Sequence, residues 1–183
     1  PMRVLLVTDW PWPVAGTERI VERLRDGLVA AGDEVRLMTS TAGSAGDGRA
    51  DFVAYGSNRR AEQAFLQVFN PSAYTTMRRA VAEFRPDAVH LNMFLPHLSP
   101  AVLRALRGVP AAMVVHDYKP ICPIGTKLLP DGTPCRDPAG AACCRNDCIG
   151  RLRAARDTPR MFGFRRGLRE VGRIATISAW MRA

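Results

Sequence analysis

The stretch from Arg3 to Thr39 constrains the fold more than any other part of the chain. Arg3 to Thr8, RVLLVT, is apolar, rich in branched residues and too short for a helix, which favours a strand buried on both faces. A loop dense in Pro and Gly, DWPWPVAGT, follows it. Ile20, Val21, Leu24, Leu28 and Ala31 then recur at helical spacing, and Gly32 stands where such a helix would stop. Glu34 to Thr39, EVRLMT, alternates as a strand does and completes a βαβ unit. Parallel strands need a crossover of this length, so the first forty residues largely settle an α/β class with a parallel sheet, and the fold expected of the whole chain is a Rossmann-like parallel sheet with helices on both faces.

The alternation continues. A small, polar loop over 41–48 leads to a strand in DFVAY from Asp51. Two helical segments flank the Asn70-Pro71 break, the second over about 73–84 and ending before Pro86. DAVHLN, residues 87–92, reads as a strand, 100–107 as a short helix, and AAMVVH, residues 111–116, as a further strand. From about 119 to 150 the periodicity lapses, and Pro, Gly and all five cysteines collect in what reads as an inserted loop. A basic helix over 161–171, a last strand over 173–177 and a helical start at 178–183 complete the pattern.

At 183 residues the chain fits one domain, 1–183, with no room for two full α/β domains. A hydrophobic fraction of 47% against 23% charged residues excludes a disordered chain. No run reaches the roughly 20 apolar residues that a membrane span needs, and Asp9 and Pro11 break the opening run too early for a signal peptide, so a cytoplasmic protein is expected. A net charge of +9 attracts polyanions. Nucleic acid is disfavoured as the partner, because zinc-finger spacing, RNA-binding aromatics and a helix-turn-helix are all missing. That leaves a solvated Arg-rich surface, or contact with an anionic membrane surface at which the protein sits peripherally, or an anionic substrate.

In a parallel α/β sheet ligands bind beyond the carboxyl ends of the strands. Gly16 and Thr17 open the first helix there, either as a plain capped start or as a phosphate site built from free N-H groups and the helix dipole. His116 and Asp117 end a strand at the same edge, either as a structural strand end or as a titratable pair in a site. Asn92 and His97 follow the preceding strand. Cys122, Cys135, Cys144 and Cys148, with Cys143 as a spare, could hold a structural zinc, form disulfides or stay reduced. GxSxG, GxxxxGKS and HExxH are absent.

The order of motifs resembles that of the retaining GT-B glycosyltransferases of the large family four, over essentially the whole chain. The anchors are Pro13-Val14-Ala15-Gly16-Thr17-Glu18-Arg19, Gly32-Asp33-Glu34-Val35, the strand Pro86 to Asn92, and Val109-Pro110 with Val115-His116-Asp117-Tyr118. Ala15 stands where the family has a glycine and Asp33 where it has a histidine; Cys122 to Cys135 resembles an insert found in a subset of members. The resemblance implies the acceptor-side, N-terminal half of a two-domain enzyme, whose C-terminal donor-binding domain is not in this chain, and whose isolated half is inactive. It implies a nucleoside diphosphate sugar as co-substrate and a glycan, lipid or small-molecule acceptor. It places Gly16 and Thr17 at the donor diphosphate, His116 beside the reacting sugar with Asp117 next to it, and Trp12, Asn92, His97 and Tyr118 around the acceptor. The competing reading is a non-catalytic Rossmann-like binding domain with a metal-stapled loop. A nicotinamide-dependent oxidoreductase fits less well, because GxGxxG is missing and Thr39 and Ser40 stand where an acidic residue would end the second strand.

Overall fold

The apolar run at the start is the centre of the sheet. In the computed structural model, which describes residues 1–10, 16–42, 49–92, 94 and 96–178, the strands are β1 (Arg3–Val7), β2 (Glu34–Ser40), β3 (Phe52–Ala54), β4 (Ala88–Asn92), β5 (Ala111–Val115) and β6 (Arg173–Thr176). Their order is β3-β2-β1-β4-β5-β6, and every pairing is parallel. Side chains alternate across this sheet, so β1 feeds two cores. Val4 and Leu6 join Val21 and Leu37 under α1 (Gly16–Ala30) on one face. Leu5 and Val7 join Val89, Leu91 and Met113 on the other, beneath α3 (Pro71–Phe84), α4 (Ala101–Arg104) and α6 (Arg151–Gly167). Helices therefore cover both faces, as the alternating pattern requires.

Each helix end has a local cause. The first helix closes where Gly32 takes φ 88° and Asp33 N donates to the Leu28 carbonyl, a C-terminal cap that a Cβ would strain. After α2 (Arg60–Leu66), Asn70 starts α3: its Oδ1 accepts from Ala73 N, while its Nδ2 donates to the carbonyls of Tyr55 and His97. Pro71 fits the first helical position, so α3 begins two residues before the apolar pattern does.

Two expected helices have other lengths. α4 is a single turn, because Ala105 N and Leu106 N bond three residues back rather than four; the expected apolar residues Val102, Leu103 and Leu106 are buried all the same. α6 begins ten residues before the expected 161 and ends at Gly167. Its inner face carries Asp157 and Arg160 beside Met161 and Phe164, so its first half shows no apolar stripe. A Cβ on Gly167 would lie 2.7 Å from Leu103 Cβ, which is why α6 can rest directly on α4.

The insert has a framework of its own. Leu128 and Pro134 form an antiparallel bridge, the short α5 (Ala141–Arg145) follows, and Arg153 Nη2 of α6 donates to the Pro123 carbonyl. The expected helical start at the chain end falls on residues 179–183, outside the described ones.

Candidate functional site

β1 is flanked by β2 on one side and β4 on the other, with its following helix on one face and the helices after β3 on the opposite face. That reversal opens a crevice at the carboxyl ends of β1 and β4. Asn92, the last residue of β4, is 1% exposed and points to the α1 face, since its partner in register, Val114, alternates with the inward Met113 and Val115. His116 stands two residues beyond Val114, so it shares that face. The result is a contact between two strand ends and a helix start: His116 Nε2 lies 2.7 Å from Asn92 Oδ1, and Asn92 Nδ2 donates to the Thr17 carbonyl at 3.3 Å.

These two bonds assign the proton. The Thr17 carbonyl can only accept, so the amide nitrogen of Asn92 must face it and the amide oxygen must face the histidine. That oxygen can only accept as well, so Nε2 of His116 carries the hydrogen and Nδ1 keeps a free lone pair. Burial holds the His116 pKa below the ordinary histidine value, with the carboxylates of Asp117 and Glu18 pulling the other way. The imidazole is neutral at pH 7.

Gly16 and Thr17 form the first turn of α1, where Gly16 is exposed and a Cβ would meet nothing within 4 Å. The first N-H groups of a helix have no partner within it, so this turn gives the crevice a positive end. Trp12 lies outside the described residues. Asp117 does not pair with His116. Its Oδ1 accepts from Lys119 N at 2.8 Å and its Oδ2 lies 3.3 Å from Lys119 Nζ, so the carboxylate fastens the turn that starts the insert. Tyr118 is the hinge of that turn: its N-H donates to the Gly125 carbonyl, and its own carbonyl accepts from Ile121 and Cys122.

His97 stands apart from this group. It is 1% exposed, its ring packs edge-on against Trp10 with centroids 4.6 Å apart, and its N-H and that of Leu98 donate to the buried Asp9 carboxylate. An acceptor could touch the His97 ring only after that packing opened. His90, two residues before Asn92 on the same face, is the imidazole that sequence reasoning passed over. It is half-buried, its Nδ1 has no hydrogen-bond partner, and it lies close enough to His116 for each to oppose charge on the other. The alternation His90-Leu91-Asn92 in a strand was the signal for it.

The tetrathiolate expectation finds no support in the structure. Among the described residues no group of three or more His, Cys, Asp or Glu side chains is placed to hold a metal ion, and Cys122, Cys135, Cys144 and Cys148 are all free thiols. Cys143 and Cys144 are neighbours on the one-turn α5, so their side chains diverge. The Cys135 thiol faces the Asp137 carbonyl at 3.9 Å and the Cys148 thiol the Asn146 carbonyl at 3.6 Å, contacts that a protonated sulfur makes. Burial raises the Cys148 pKa, and Cys143, Cys135 and Cys122 raise it further.

One prediction follows from the histidines. His90, His97 and His116 all have pKa values lowered first by burial, and the chain has 3 histidines in all. A histidine whose folded pKa is depressed binds its proton more readily when unfolded. Its stabilising effect is complete above the unfolded pKa, about 6.5, and is lost as pH falls from there through the folded value. The unfolding free energy should therefore fall on acidification from pH 7.5 to pH 5, by up to about 1.4 kcal/mol per pH unit from each imidazole, and the melting temperature should drop with it. A melting temperature flat across that range would contradict it.

The glycosyl transferase 4-like domain model matches residues 15–183. No curated protein matches the chain. Among solved structures, an α-glucosyltransferase in complex with UDP and a 13-mer DNA containing a central A:G mismatch is similar over 98% of this chain and 38% of its own length, with 14% identity and a TM-score of 0.50. An α-glucosyltransferase in complex with UDP-glucose and DNA containing an abasic site is similar over 97% of this chain and 36% of its own, with 13% identity and a TM-score of 0.50. The chain thus spans less than two fifths of the length of either structure, and at these identities the likeness shows a shared fold. The family match covers most of the chain and agrees with the parallel six-stranded sheet: this protein belongs to the family of glycosyl transferase 4-like domains, glycosyltransferase domains of the GT-B kind.

Proposed function

We propose that the chain is the N-terminal, acceptor-side half of a retaining GT-B glycosyltransferase that moves a hexose from a nucleoside diphosphate sugar to a glycan, lipid or small-molecule acceptor in the cytoplasm. The observation that carries this reading is the Asn92 amide, which ties the first turn of α1 to His116 at the switch point of the sheet. A departing nucleoside diphosphate gains negative charge, and fixed N-H dipoles at a helix start stabilise such charge without reorganising. Gly16 and Thr17 supply that end of the crevice. His116, held with Nε2 protonated, presents Nδ1 as a hydrogen-bond acceptor for a hydroxyl of the transferred sugar. Asn92 positions both groups, and Trp12 and Tyr118 border the acceptor. The donor base and sugar are held by a C-terminal domain, in keeping with the UDP and UDP-glucose that the two α-glucosyltransferases contain.

The test is transfer by the full-length protein with a panel of nucleoside diphosphate sugars and acceptors, read as diphosphate release and as product anomer by NMR. One donor should support transfer with the anomeric configuration kept, and residues 1–183 alone should show less than about a hundredth of that turnover, because half a cleft leaves the leaving group in water. An inverted product would end the retaining assignment. Full turnover by residues 1–183 would end the half-site reading. A full-length protein without transfer under any donor would favour the non-catalytic binding domain.

A further inference from the structure

Helix α6 packs Met161 and Phe164 into the core, yet it also buries charge and shows large apolar side chains to water. Its inner face buries Asp157 and Arg160, while its outer face shows Leu152 91% exposed and Phe162 67% exposed. Every charged side chain on that outer face is an arginine, Arg151, Arg165 and Arg166 among them, since the helix's one acid, Asp157, is buried. A helix that shows large apolar side chains to water among arginines, and no carboxylates, has the make-up of one that lies in a lipid interface.

The neighbouring elements extend the pattern. Phe65, at the end of α2, is 78% exposed, and Phe69 projects one turn later. Phe69 and Phe162 line one shallow hollow with Arg104 and Pro159 between them. Arg104 is also a wall of an adjoining open cavity of about 650 Å³, lined by Tyr74, Arg78 and Arg107, and of a third hollow that reaches Arg166. Glu170 pairs with Arg107 on this face at 3.5 Å. Among the described residues no carboxylate lies within ion-pair distance of Arg78, Arg104 or Arg166. A monomer seldom leaves so many phenyl rings in water without a partner for them.

We propose that this face, formed by the turn after α2 together with α3, α4 and α6, docks on the surface of an acidic lipid bilayer. Phe65, Phe69, Phe162 and Leu152 enter the boundary between headgroups and acyl chains, and Arg78, Arg104, Arg107 and Arg166 meet the lipid phosphates. Two observations select a bilayer over other occupants. The apolar side chains protrude instead of enclosing a pocket, so a free phosphate or small anion would leave them wet. The face also has a net positive charge, Glu170 being paired with Arg107 while Arg78, Arg104 and Arg166 are not paired to a described carboxylate, so a second copy of the chain would be repelled by it. Docking does not span the membrane: no described helix is long and apolar enough to cross one. It leaves the Asn92–His116 crevice open, because α6 packs on the sheet face opposite to α1 and Asn92. The inference does not depend on the proposed transfer reaction.

Co-sedimentation of the chain with vesicles tests it. Vesicles of phosphatidylcholine with 30% phosphatidylglycerol should bind the chain at least tenfold more tightly than pure phosphatidylcholine at about 0.1 M salt, and the difference should collapse near 0.5 M salt as screening sets in. Phe65→Ser with Phe162→Ser, which leaves the charge unchanged, should weaken binding at least tenfold. Arg104→Glu with Arg166→Glu should abolish it. All four positions are exposed, and unchanged far-UV circular dichroism shows that the fold is kept. Equal binding to neutral and acidic vesicles by the wild-type chain would overturn the proposal, with no variant needed. So would acidic-vesicle binding that survives the serine variants and is displaced by millimolar inorganic phosphate, which marks a free-phosphate site. Vesicle binding absent while the chain forms a dimer, or binds duplex DNA, would equally replace the bilayer with that partner.

Discussion

On the proposed transfer reaction, His116→Ala in the full-length protein should lower turnover by about a hundredfold or more while leaving the secondary structure and melting temperature close to wild type. The side chain is only half-buried and makes one described hydrogen bond, to Asn92, so its removal should cost about 1 kcal/mol of stability. The effect on rate is larger in the proposed reaction, where His116 faces the reacting sugar, acts where charge develops and is not replaced as well by water. His116→Gln separates two roles. A glutamine amide can still donate to Asn92 Oδ1 but offers no imidazole lone pair, so its turnover should stay close to that of the alanine variant. Recovery in the glutamine variant would show that His116 serves only to orient Asn92. Asn92→Asp adds a third arm: a carboxylate at that site would favour the imidazolium and lift the acid limb of the pH profile toward neutrality. Near-normal turnover in His116→Ala would remove the residue from the reaction site altogether.

The contact between His116 and Asn92 shows which parts of the site the sequence could specify. The strands were legible because residues such as Leu5, Leu6, Val89 and Met113 are buried on both faces of a parallel sheet and leave short apolar runs. Both residues close such runs, so their common edge followed from the topology. Their pairing did not, because it rests on a one-residue choice of register, Asn92 against Val114, which nothing local dictates. His90 was visible as a letter but not as a neighbour of His116 for the same reason. Asp117 looked like a partner for His116 on adjacency alone, yet consecutive residues point apart, and Lys119 two positions on takes its carboxylate. Cysteine spacing could not reveal that backbone carbonyls face two of the thiols. The greatest gap was α6, whose first half carries its buried positions as Asp157 and Arg160, so that apolar periodicity, the strongest signal for a helix, is missing where the helix starts.

That buried charge cluster carries the largest expected loss of stability. Asp157 is 1% exposed and is met by three guanidinium groups: Arg156 Nε at 2.7 Å, Arg153 Nε at 3.3 Å and Arg160 Nη2 at 3.6 Å. The same arginines reach outward, Arg153 to the Pro123 carbonyl of the insert and Arg160 to Gln67 Oε1 after α2, so one carboxylate organises the packing of three segments. Burial lowers the Arg160 pKa while Asp157 raises it, so the carboxylate offsets part of the cost of burying the guanidinium. Asp157→Ala should cost about 3–5 kcal/mol, because it strands a buried guanidinium beside two others. Asp157→Asn keeps the shape but not the charge and should lose much of the same amount. The double variant Asp157→Leu with Arg160→Met should regain most of the loss, since Arg153 and Arg156 can turn to solvent and an apolar pair replaces the buried ions at little cost. Urea denaturation of the four proteins measures all three differences. A single Asp157→Ala variant within about 1 kcal/mol of wild type, or a double variant no more stable than the single, would show that the cluster does not hold α6 in place.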